Sequence, residues 1–153
     1  MGHHIQGVIA RSSVVARIAQ DFPGAEVVPL EQALLWVPTP EWLLDAIDET
    51  TRGDALRTPI TGEHVYLHFV ARYLEQITSR DVAMYFETDY FGGLGAQSAA
   101  VYRDGVLVLD AGRASRPGPI NAGLALLGVL ADAGRDAFDT VGLQHHRRMP
   151  HDR

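Results

Sequence analysis

Neither cysteine nor lysine occurs in this 153-residue chain, and aromatic residues make up only 8% of it. Without a thiol there are no disulfides and no thiolate chemistry, a composition that fits a reducing cytosol. Without lysine there is no Walker phosphate loop, which needs one to reach the phosphates. All 13 basic residues are therefore arginine. Long apolar runs are missing as well. Stretches such as ALLWV at 33–37 fall far short of the roughly 20 residues that cross a bilayer. The opening MGHHIQGVIARSS has no basic region followed by a long apolar run, so no signal peptide is expected. These features lead to the expectation of a cytoplasmic protein that is not membrane-bound.

The length suits one domain with a real hydrophobic core, and 46% apolar with 21% charged residues is ordinary for a globular chain. The net charge of −6 is unevenly spread. The last ten residues hold three arginines and one aspartate, a net +2, which leaves −8 on the other 143. An acidic body argues against nucleic acid as a partner, since that would call for a basic face. It suits a basic protein partner, and it equally suits plain solubility. The division expected is a single domain over 1–143 with a basic C-terminal tail over 144–153.

Periodicity predicts the elements. HHIQGVIA at 3–10 reads as a strand. A helix follows, capped by Ser12 or Ser13, with Val14, Val15, Ile18, Ala19 and Phe22 on one face. AEVVPL and ALLWVPT read as two more strands. Thr39-Pro40 reads as a helix start, with Thr39 as N-cap and the helix running to about Thr51. A longer helix begins near Thr61, with Tyr66, Phe69, Val70, Tyr73, Leu74 and Ile77 on one face. Three strands follow: VAMYFETDYF, SAAVYR and VLVLDA, the last two joined by an Asp104-Gly105 hairpin signal. Helices over INAGLALLGVLADA and, capped by Asp136, over DAFDTVGL complete the chain. Clustered strands with tight connections predict the α+β class: an antiparallel or mixed sheet of about five to six strands packed by helices.

The stretch ETDYFGGLGAQSAAVY at 87–102 resembles a glycine-rich phosphate loop. A dinucleotide fingerprint needs a helix after its glycines. Here Ser98 holds the third glycine slot and a hairpin follows, so the glycines are expected only to reverse the chain. No cofactor is expected.

In the strand before this turn, Val82, Met84, Phe86, Thr88 and Tyr90 alternate with Ala83, Tyr85, Glu87, Asp89 and Phe91. The first set is assigned to the core and the second to an exposed face. Carboxylates between aromatics there suit a solvated surface, a partner-binding face, or acid–base or metal chemistry. A second acidic stripe, Glu41, Asp45, Asp48 and Glu49, shares one helix face. His64 and His68 stand at i and i+4, a spacing zinc sites use. Yet EHVYLH is not H-E-x-x-H and no third ligand is evident, so no metal site is assigned. His3-His4 and His145-His146 read as ligands or as polar termini, and no G-x-S-x-G elbow appears.

ETDYFGGLGAQSAAVYRDG at 87–105 and INAGLALLGV with DAFDTVGLQHHR, within 120–147, give the second half a resemblance. The chain resembles small bacterial immunity proteins of contact-dependent and polymorphic toxin systems, over about its last 60 residues. The resemblance implies a cytoplasmic, non-enzymatic protein that binds a cognate toxin domain, often a basic nuclease, and blocks its active site or substrate path. It transfers no catalytic residue. The expected contact residues are Tyr85, Glu87, Asp89 and Phe91 on the strand, with Asp45, Asp48 and Glu49 on the helix. The alternative is a small hydrolase or metal-dependent enzyme using Glu87 and Asp89 with His64 and His68.

Overall fold

The computed structural model describes residues 3–53, 68–91, 94–114 and 118–150. Their elements are β1 (Gln6–Ala10), α1 (Ser12–Asp21), β2 (Val28–Pro29), β3 (Leu35–Pro38), α2 (Glu41–Thr51), α3 (His68–Ile77), β4 (Val82–Phe91), β5 (Leu94–Arg103), β6 (Val106–Ala114), α4 (Pro119–Leu126) and α5 (Ala137–Thr140), then a 3-10 turn at Leu143–His145. The strands form one sheet in the order β2-β3-β1-β4-β5-β6, and every neighbouring pair is antiparallel. The chain is α+β, with the element order its periodicity predicts.

Local chemistry accounts for the connections. Asp104 (φ 52°) and Gly105 (φ 76°) link Arg103 to its partner Val106. Two positive φ values in a two-residue loop match the right-handed twist of the flanking strands. β4 and β5 pair in continuous register up to Phe91 and Leu94, so no helix follows the glycines, and Gly95, expected in the turn, is instead a residue of β5 opposite Tyr90. Gly93 itself lies outside the described residues. α4 stops earlier than its apolar run predicts. Gly128, at φ 92°, donates to the Ala125 carbonyl and Val129 donates to that of Leu124, a Schellman ending. Asp136 caps α5 as expected, its carboxylate accepting from the Asp139 amide at 2.9 Å.

The other two predicted caps are corrected. Arg11 and Pro40 are the N-cap residues of α1 and α2, neither with a side-chain cap bond. Ser13 lies inside α1 and donates to Asp81 instead, while Thr39 is turned inward. The first three strands are shorter than predicted, since His3 makes only an isolated bridge and β2 spans two residues, whereas β4 has the predicted bounds and β5 and β6 run longer than SAAVYR and VLVLDA.

Both faces of the sheet are covered. On one, Val8, Ala10, Val37, Ala83, Tyr85, Ala100 and Tyr102 pack against apolar stripes of α1, α2 and α3, including Val14, Ile18, Leu43, Ile47, Val70 and Leu74. On the other, Ile9, Trp36, Met84, Phe86 and Val101 meet Ile120, Leu124, Val141, Leu143 and Met149. The side of β4 assigned to solvent is therefore a second core for its first half. The closing segment packs on the opposite face, in the layer around Trp36 and Phe86. Met149 is buried, the His4 amide donates to the Arg147 carbonyl at 2.8 Å, and the His146 ring lies 5.5 Å from that of Trp36. The tail expected from its charge is an apolar-anchored closing segment, at least to residue 150.

Candidate functional site

The residues expected at a contact surface separate into three environments. Tyr85 is 1% exposed, which corrects its placement on an open face. Its ring lies in the core shared with the helix stripes, and its hydroxyl donates to Glu87 Oε1 at 3.0 Å. Thr39 hydrogen-bonds the same phenol. Burial first, then the neighbouring Glu87 charge, pushes the Tyr85 pKa well above its ordinary value, with the Thr39 bond opposing. The phenol therefore stays protonated and serves as a donor. Gln6 completes the network. Its side-chain amide donates to the Thr39 carbonyl at 2.8 Å, and its backbone carbonyl accepts from the Trp36 indole at 3.1 Å.

Glu87 is half-buried at the edge of this network, and Asp89, one alternation further along β4, is exposed. The Phe91 side chain is outside the described set. Asp45 and Glu49 on α2 are exposed, while Asp48 is half-buried and lies 3.9 Å from Arg52. Neither Glu41, Asp45 nor Glu49 has an ion pair among the described residues. The structure thus brings Glu87 to the base of α2 through Thr39, and leaves the acidic stripe running away from it along the helix.

Sequence reasoning missed the aromatic centre of this region. Trp42, in the first turn of α2, is 48% exposed. It lies i, i+3, i+7 with Asp45 and Glu49, so the indole and the carboxylates share a face. That spacing was readable in the sequence. Not readable was the arrival of Glu26 and Gly24 from the α1–β2 connection. Glu26, Pro38, Pro40, Glu41 and Trp42 line an open cavity of about 300 Å³. Gly24 lies against the indole, where an added Cβ would come within 3.3 Å of the ring. The prolines, with φ fixed by their rings, flank inward-facing Thr39. One short segment therefore builds the cavity wall outside and holds the Tyr85 network inside.

Of the histidines, His64 and the side chain of His68 lie outside the described residues. His3 hydrogen-bonds Thr88 at 2.8 Å through Nδ1, its ring 5.6 Å from that of Phe138. With His146 against Trp36, two of the terminal histidines are packing residues. Among the described residues no group of three or more His, Asp or Glu stands together as a metal cage would require, and no helix is long and apolar enough to cross a membrane. No protein-family model, curated protein or solved structure matches this chain.

Proposed function

We propose that this is a non-enzymatic binding protein that neutralises a cognate bacterial toxin domain in the cytoplasm by one-to-one association, occluding its active site or substrate path. The observation that carries the reading is the outer face of α2. Glu41, Asp45 and Glu49 have no cationic partner among the described residues, and a half-exposed Trp42 sits among them. Buried aromatic anchors supply most of the affinity at protein interfaces, while charges around them steer encounter and select the partner. The net charge of −6 favours a basic partner, and the resemblance of the second half to immunity proteins points to a toxin. Asp89 and the outer edge of Glu87 extend the same side of the sheet.

The test is co-expression with the toxin domain encoded beside this gene. The expected result is rescue of growth and a salt-sensitive one-to-one complex. Asp45→Lys with Glu49→Lys should weaken that complex by at least ~30-fold, about 2 kcal/mol, with folding unchanged. Asp89→Lys should weaken it less. A metabolic operon around the gene with no toxin in it, or a confirmed toxin whose binding ignores both variants, would defeat the reading.

A further inference from the structure

The cavity beside Trp42 joins three properties seldom found together on a surface. Its apolar walls come from Pro38, Pro40 and Trp42, two rigid proline rings and an indole. Its charge is of one sign, from Glu26 and Glu41, and neither carboxylate has an ion pair among the described residues. Its aromatic is accessible, since the ring edge lies beside Gly24 on one side while 48% of the residue remains open.

These properties select a ligand. An anion would find the N-terminus of α2, but that end carries only about half a unit of positive charge, against two full carboxylates. A neutral apolar group would leave both carboxylates desolvated without compensation. A compact ammonium satisfies the carboxylates but gains less from a flat wall. A guanidinium suits both at once: it stacks on aromatic faces, is weakly hydrated, and presents a planar fork of donors to carboxylates.

We infer that this cavity is an arginine-binding pocket, which accepts one arginine side chain of a polypeptide partner stacked on Trp42 and hydrogen-bonded to Glu26 and Glu41. The inference deepens the proposed function and rests on it for the partner being a protein. The pocket itself can be tested without any toxin.

The probes are three end-blocked tripeptides, Gly-Arg-Gly, Gly-Lys-Gly and Gly-citrulline-Gly, added to the intact chain. Citrulline keeps the shape of arginine and removes its charge. Trp36 is fully buried, so a change in tryptophan emission on addition reports Trp42. Backbone amide shifts of Gly24 and Trp42 give a second readout independent of fluorescence. The expected result is saturable binding of the arginine peptide in the millimolar range. Binding should be at least ~10-fold weaker for the citrulline peptide and several-fold weaker for the lysine peptide. Glu26→Gln with Glu41→Gln should lower arginine affinity by ~10-fold, and Trp42→Leu should abolish the amide shifts at Gly24. Both variants alter exposed positions and should leave the unfolding midpoint in place. No saturable response, or equal responses to arginine and citrulline, would overturn the pocket. A toxin that binds while arginine peptides do not would sink this inference and leave the immunity reading standing. Arginine peptides that bind with no toxin found would do the reverse.

Discussion

Trp36 and Trp42 stand six residues apart in LLWVPTPEWLL, yet their surroundings have little in common. Trp36 is wholly buried, tilted against Phe86 at 6.3 Å and His146 at 5.5 Å, with its indole N–H donated to the Gln6 carbonyl. It is wrapped by chain from both ends of the sequence. Trp42 lies beside Gly24 and shares an open cavity with two prolines and the carboxylates of Glu26 and Glu41. The first tryptophan organises the molecule and the second is available to something outside it. The contrast teaches that identical residue types in one short segment are divided by geometry: Trp36 sits on a strand facing a core, and Trp42 on the turn of a helix that faces away.

The most severe test of that contrast is a pair of truncations. Trp36→Ala removes a fully buried indole and should destabilise the fold by about 3–5 kcal/mol. Trp42→Ala removes a half-exposed one and should cost no more than about 1 kcal/mol. Urea unfolding of both variants measures the difference, and similar losses would mean that Trp42 is a core residue after all.

A smaller effect is expected where the two regions join. Tyr85→Phe keeps the buried ring and deletes only the hydroxyl shared by Thr39 and Glu87. Bonds to a charged group contribute about 1.5–3 kcal/mol, so a loss of about 2 kcal/mol is expected with partner affinity unchanged. A variant that folds normally but loses its partner would make Tyr85 a contact residue in spite of its burial.

The sequence disclosed the connections better than the surfaces. The Asp104-Gly105 turn, the Asp136 cap and the element order were legible because each depends on residues adjacent in the chain. The burial of Tyr85 was not. Alternation along β4 says which side chains share a face, never whether both faces are covered, although the unbroken apolar run from Val82 to Phe86 is the pattern of a doubly buried strand. Thr39 has the right chemistry for a cap, but a half-buried Gln6 and the buried Tyr85 compete for it. The basic closing segment reads as a tail because its charge outweighs one methionine, and Met149 proves to be the anchor. Glu26 reaches the Trp42 cavity only through the tertiary fold.

Protons should also distinguish the two tryptophan regions. His3 lies in the layer around Trp36, and burial lowers its pKa below 6.5. The charges of Arg147, His146 and His4 act in the same direction, while the Leu143 carbonyl opposes them. The Leu143 bond is the largest effect after burial, and burial outweighs it. A folded pKa below the unfolded one means that the unfolded chain takes up the proton first. The contribution of His3 to stability is therefore complete above about pH 6.5, the ordinary histidine value, and declines as pH falls from there through the lower folded value. His3→Gln should flatten that limb of the stability–pH curve. An unchanged slope would mean that His3 is as free to charge in the fold as out of it.

The smallest expected effect probes how loosely Trp42 is held. In Gly24→Ala the new methyl would approach the indole to 3.3 Å, closer than comfortable van der Waals contact. Its neighbour, however, is the outer edge of a half-exposed ring rather than a backbone, and the ring can yield by a few tenths of an ångström. Gly24 is not among the glycines held at positive φ, so alanine meets no backbone penalty there and reduces the freedom of the unfolded chain, a gain of about 0.4–1 kcal/mol at compatible sites. The two terms oppose each other, and the net change in stability should stay within about 0.5 kcal/mol. Acrylamide quenching should rise as the indole tips outward, with Trp36 silent beneath the sheet. A loss beyond about 1 kcal/mol would show that the ring cannot move, and that Trp42 is packed as rigidly as Trp36.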